Sequence, residues 1–325
     1  LSAMSLMSLA GLLGPLMGPT LGGWMVEYAS WHWIFLINLP MGLLGAWMTF
    51  KIMPNVKETS VKRFDFMGFV LLFIAMVGLS LGIENFAQPT QSLWFTLSLI
   101  LCSLMAMMWY AYHAHTHQNA LFRSQLFANR NFTLGILGNS FARLGGNAIP
   151  FILPLMLQVV FGFDALTTGL LMIPTVLGSL ASKPIIRQLI QFFGYRRFLV
   201  SNTLLLGLCI ASFALTHADM PLWLRAMHFF IFGLLNSLQF VGMNTFTLKD
   251  LSQQHASSGN SFLSMIMMLA MTIGVALAGT LVNLFSAYLG AAQIEQAFHF
   301  SLLCLGAINL IAAAIFWQIP KTERA

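Results

Sequence analysis

Apolar residues in this chain gather into long, nearly unbroken runs, with polar residues confined to the short gaps between them. A helix needs about 20 mostly apolar residues to cross a bilayer. On that criterion the runs near 1–26, 33–53, 66–86, 93–113, 132–160, 166–186, 198–216, 222–247, 259–286 and 297–318 are spans. They do not alternate at period two, which excludes the strands of a membrane barrel. Helices fit, because each satisfies its backbone polar groups within its own segment. The pattern therefore predicts an all-α integral membrane protein with about ten transmembrane helices.

Composition sharpens this picture. Hydrophobic residues make up 58% of the 325 positions and charged residues only 7%, against roughly 25% charged in a soluble domain. Too few charges remain to cover a surface facing water. Cys102, Cys209 and Cys304 all lie inside apolar runs and read as small buried hydrophobes. No signal-peptide pattern appears. Leu1 already stands within an apolar run, so the chain is expected to be a fragment that continues upstream.

The charges divide by side. When the loops are numbered alternately, one side receives Lys51, Lys57, Lys62, Arg63, Arg123, Arg130, Lys183, Arg187, Arg196, Arg197, Lys249, Lys321 and Arg324. The other receives Arg225, with Glu27, Asp164, Asp219 and Glu295. Basic loops mark the cytoplasmic side, so the Leu1 end and the C-terminus are both expected in the cytoplasm. This asymmetry also accounts for the basic balance of the chain without nucleic acid. Trp31, Trp33, Trp94 and Trp223 fall at the opposite face, at headgroup level.

In the first run Gly14, Gly18 and Gly22 recur every fourth residue, interleaved with Pro15 and Pro19 and followed by Gly23. Small residues at this spacing let helices approach closely, and the prolines favour a bend. Gly14-x-x-x-Gly18-Pro19-x-x-Gly22-Gly23 resembles the antiporter signature in the fifth helix of drug:proton antiporters of the major facilitator superfamily. The stretch from Ala29 to Gly42 resembles the fourteen-helix EmrB/QacA type. Met243–Leu251 and Ala256–Ser261 carry a closer likeness to one member of that branch.

The resemblance covers essentially the whole chain and sets its first span against the family's fifth helix, leaving four helices upstream. It implies that residues 1–53 end an N-terminal bundle, 54–120 hold two linker helices and 121–325 form a C-terminal six-helix bundle. It further implies substrate binding between bundles that rock in alternation. Gly14, Gly18, Pro19, Gly22 and Gly23 would then seal the outer end against proton leak. A second stretch resembles the cytoplasmic gating loop, with Gly178, Pro184, Arg187, Gly194, Arg196 and Arg197 in the matching positions. A glycine there permits a tight turn, while its arginines can anchor on helix ends. No Asp precedes Arg187, which departs from the family's best-known form of the loop.

Arg143 is the one cation well inside a span. Asn139, Arg143 and Asn147 share a helical face at i, i+4 spacing, and Gln158 follows in the same run. These residues are candidates for lining a central cavity, as are Asn236 and Gln239. Helix–helix hydrogen bonding is the alternative for the latter pair. His228 and His299 read as buried packing residues with one hydrogen bond each. His113, His115 and His117 read as a solvated helix end, since residues two apart on a helix do not converge on a metal.

No metal site, cofactor site or catalytic constellation is apparent, so an enzyme is not expected. The expected partners are a small amphipathic substrate, protons and lipid, in a bacterial inner membrane. Nothing in the sequence names a periplasmic adaptor. Two readings follow: a proton-coupled exporter of drug-like amphipaths, or a transport-inactive truncated chain with a binding or accessory role. No acid lies in the middle of any span, although a proton-coupled carrier needs such a group, and the resemblance places much of that chemistry in the helices missing upstream, which favours the second reading.

Overall fold

The computed structural model describes residues 21–53, 64–86, 92–117 and 119–320, with the backbone alone at Gln253, Gln254 and Ala291. Gly14, Gly18 and Pro19 lie outside the described residues. Among the described residues every regular element is helical. Residues 21–28 form α1. Then follow α2 (Trp33–Leu36), α3 (Asn38–Ile52), α4 (Phe66–Phe86), α5 (Leu93–Thr116), α6 (Arg130–Gly146) and α7 (Ile149–Val159). The chain continues through α8 (Ala165–Ala181), α9 (Lys183–Ser212), α10 (Leu222–Leu248), α11 (Gln253–Leu289) and α12 (Ile294–Phe316). Among the described residues, eight helical stretches are long and apolar enough to cross a membrane, counting α2–α3 and α6–α7 as one each. Helix α8 is shorter, at 17 residues. Each expected span from residue 33 onward has a helix over it, and the one expected at 166–186 is the short α8.

Local chemistry sets several boundaries. Asn129 caps α6 by accepting from the N–H groups of Asn131 and Phe132. Asp164 caps α8 through Thr167 N–H, which holds its carboxyl below the usual carboxylate range. Gly194 breaks α9 with φ 72°, a left-handed conformation that glycine adopts without strain. The break separates a segment bearing exposed Arg187, Phe192 and Phe193 from the long apolar remainder of α9.

Helices α6 to α12 pack as a bundle around two buried clusters. One holds Ile149, Ile152, Met156, Phe213, Phe229, Phe232 and Phe298. The other holds Leu134, Tyr195, Phe198, Phe246 and Phe316. Helix contacts between apolar surfaces in lipid depend on close approach, because lipid tails already solvate those surfaces. Gly178 and Gly233 supply that approach between α8 and α10. A Cβ on Gly178 would overlap the Phe230 carbonyl, and one on Gly233 would overlap that of Thr175. Most of the large exposed side chains are hydrophobic, as a lipid-facing exterior requires.

Helices α4 and α5 form an antiparallel pair that joins this bundle through a third cluster, including Leu71, Ala106, Tyr110, Phe122, Phe132 and Leu263. No residue of α2 or α3 is buried. A polar clasp reinforces the docking of α5. Asp65 Oδ1 accepts from Gly68 N–H at 2.9 Å and lies 2.9 Å from His113 Nε2, while Oδ2 accepts from Leu121 N–H at 3.2 Å. The Tyr110 hydroxyl accepts from Phe122 N–H at 2.8 Å and donates to the Phe122 carbonyl at 3.3 Å. His113 is therefore buried and paired, contrary to the expectation of a solvated helix end. Its partner is 48 residues away, and no local spacing signals it.

Burial alone would raise the Asp65 carboxyl pKa, but hydrogen bonds from Gly68, His113 and Leu121 outweigh it and hold the group below its usual range. A depressed carboxylate stabilises the fold fully above its unfolded value, near 3.9, and loses that contribution as pH falls through the folded value. Asp65→Asn should cost about 1–3 kcal/mol at neutral pH. It should also flatten the pH dependence of thermal unfolding in detergent below about pH 4.

Candidate functional site

The stripe of Asn139 and Arg143 on α6, with Asn147 at its C-terminal cap, faces a second stripe on α10. The two helices run antiparallel, and Asn236, Phe240 and Asn244 follow at spacings of four along α10. Arg143 occupies the middle. Its Nε donates to Asn139 Oδ1 at 3.1 Å, and its Nη2 donates to Asn244 Oδ1 at 3.1 Å. Its guanidinium carbon lies 4.6 Å from the Phe240 ring centroid, in cation–π contact. Asn139 Nδ2 donates to Thr247 Oγ1 at 3.1 Å. At the other end Asn236 Oδ1 lies against Gly146, where an added Cβ would stand 3.0 Å from it.

Burial grades across this ladder. Asn139 is fully buried and Arg143 is 4% exposed. Asn147, Asn236 and Asn244 are half-buried, and Phe240 is 42% exposed. The guanidinium thus lies just beneath an open aromatic ring. Among the described residues it has amide and aromatic partners and no carboxylate. A buried charge needs hydrogen bonds to persist, and two asparagine carbonyl oxygens supply them.

The other expected site residues separate from this group. Gln239 turns toward α9, where it accepts from Asn202 Nδ2 at 2.8 Å and donates to Thr203 Oγ1 at 2.7 Å. That geometry is helix–helix bonding. Gln158 is exposed at the far end of α7. In the loop-like stretch, Gly178 packs inside α8, so the sharp turn belongs to Gly194 alone. Pro184 is the second residue of α9, Arg187 and Arg197 are exposed, and Arg196 stacks 4.7 Å from the Trp317 ring centroid. Gly22 meets open space, whereas a Cβ on Gly23 would stand 2.6 Å from the Ala165 carbonyl oxygen at the start of α8.

Asn244 and Phe240 complete the stripe that Asn236 begins, and their spacing of eight and four residues from Asn236 is the sequence signal for it. In the sequence Arg225 reads simply as the lone basic residue of its side. Arg225 is 1% exposed, donates to the carbonyls of His217 and Ala218, and contacts the rings of Phe161 and Phe163. His228 matches its expected role. It bonds Ser212 Oγ at 2.8 Å and stacks on Phe213.

The Major Facilitator Superfamily profile matches residues 1–275 and again residues 135–325. The chain belongs to the Major Facilitator Superfamily. It is 43% identical to the "Putative multidrug resistance protein MdtD" of Yersinia enterocolitica over 98% of its own length and 69% of that relative. It is 44% identical to the protein of the same name from Yersinia pestis, over 100% of this chain and 70% of the relative. The chain is thus a multi-pass membrane transporter and not an enzyme.

The ladder should be an energetic unit. Asn139→Ala removes an acceptor from Arg143 and a donor from Thr247, and should cost about 1–3 kcal/mol. Gln158→Ala, on the exposed surface, should stay within about 0.5 kcal/mol. Thermal unfolding of both variants in detergent checks the contrast.

Proposed function

We propose that this transporter exports small amphipathic, drug-like molecules across the bacterial inner membrane, coupled to proton entry. Arg143 carries the reading: a guanidinium with no carboxylate partner among the described residues, placed under an exposed aromatic ring in the middle of a span. An ionisable group at that depth belongs to a substrate or ion path. The open ring beside it gives an apolar face to the same site, which suits an amphipath. The names of the relatives, with multidrug resistance in them, point the same way.

In this reading residues 1–53 close the first bundle, 54–120 are linker helices and 121–325 form the second bundle. Asn139, Arg143, Asn147 and Asn236 face the path. Both chain ends are cytoplasmic, in keeping with the one-sided lysines and arginines. Gly14, Gly18, Pro19, Gly22 and Gly23 seal the outer end, and the close approach of Gly23 to Ala165 supports that placement.

Transport is to be measured in proteoliposomes with the complete open reading frame, using a fluorescent cationic amphipath and an imposed pH gradient. Arg143→Ala should lower flux by about tenfold or more, the loss of a charge-assisted hydrogen bond in kinetic terms. Its thermal unfolding should confirm a folded protein. Unchanged flux in a folded Arg143→Ala protein would remove Arg143 from the path. Flux that survives a protonophore would remove the proton coupling.

Gly23→Leu should force α1 away from α8 and raise passive proton leak several-fold without abolishing substrate binding. Leak equal to that of the parent protein would reject the seal.

A further inference from the structure

At the end of the bundle that carries Asp164 and Asp219, three side chains converge that the transport reading does not use. His217 lies in the connection between α9 and α10, and Glu295 and His299 lie one turn apart on α12. Their ligand atoms all fall within 4.8 Å of one another. His217 Nδ1 stands 3.5 Å from Glu295 Oε1, and His299 Nε2 stands 3.9 Å from the same oxygen. These gaps are too long for good hydrogen bonds. His299 Nε2 is buried and has no hydrogen-bond partner among the described residues, contrary to its expected packing role with one bond. A buried nitrogen lone pair or N–H without a partner is costly.

The spacing has another explanation. Two ligands of a four-coordinate zinc ion, each about 2.0–2.1 Å from the metal, lie roughly 3.3 Å apart. The observed separations are slightly wider than that. Two imidazoles and one carboxylate are a ligand set that zinc takes, with water in the fourth position. We propose that His217, Glu295 and His299 bind one zinc-class divalent ion. The proposal is independent of the export reading.

The surrounding structure favours such a site. Glu295 and His299 are held at i, i+4 on a regular helix, so two ligands are preset. Arg225 donates to the carbonyls of His217 and Ala218 and fixes the backbone that presents the third. The His217 side chain is 67% exposed, free to close the remaining gap. Bound metal would add a polar tie between the α9–α10 connection and α12, beside the apolar packing of Phe213 and Ala214 with Phe298 and Leu302. His299 also borders a groove lined by Leu208, Leu215, Phe300 and Leu303, which shields one flank of the site with apolar surface.

The test uses the complete protein, free of any histidine tag, in detergent. Zn2+ is titrated calorimetrically, and Co2+ is followed by the visible absorption that marks four-coordinate geometry. The parent protein should take up one saturable equivalent, with a rise in thermal midpoint that a chelator reverses. His217→Ala, Glu295→Gln and His299→Ala should each weaken binding by about tenfold or more. His32, His115, His117 and His255 remain in every variant and serve as internal controls. Absence of saturable binding would overturn the proposal, as would equal affinity in all three variants. If His299→Ala does not fold, His217→Ala and Glu295→Gln still decide, because both side chains are substantially exposed.

Discussion

Helices in a bilayer gain little from burying apolar side chains against each other, because lipid solvates those side chains equally well. What holds this bundle together must therefore be short-range contact and a few internal polar bonds. The Gly178–Gly233 approach between α8 and α10 is one such contact. It fixes α10 closely against α8, and α10 in turn presents one face to α6 and another to α9. Two polar groups of the interior, around Arg143 and around Gln239, hang on that one helix.

The two groups have different chemistry. Gln239 bonds Asn202 and Thr203 across α9 and α10, and Asn202 also donates to the Leu235 carbonyl, which rigidifies the bundle. Arg143 is held by neutral oxygens and an exposed ring, so its charge is bonded but not neutralised. A site that leaves charge uncompensated can respond to what arrives beside it. The same residue types thus join α9 to α10 on one face of α10 and hold a guanidinium beside an exposed ring on another.

The spans were legible in the sequence because lipid imposes a length and a composition on each of them, and α3 through α12 follow the apolar runs. The face of Asn139, Arg143 and Asn147 was legible for the same reason, since one helical period sets it. Gln239 was not, because Asn236 and Gln239, three residues apart on α10, point to different neighbours, and only the position of α9 decides between them. Asp65 with His113, and His217 with Glu295 and His299, were illegible because each pairing joins segments far apart in the chain. Periodicity reports which way a residue faces along its own helix, and says nothing about which distant residue it meets.

The clasp of Asp65, His113, Tyr110 and Leu121 has a mechanical meaning. It fastens the α4–α5 hairpin to the chain that enters α6, and the shared cluster with Leu263 fastens it to α11. The hairpin is therefore a fin on the α6–α12 bundle and not a loose tether beside it. Any tilt of that bundle would carry the fin through the surrounding lipid with it, so the ordering and viscosity of that lipid annulus would set a drag on the motion.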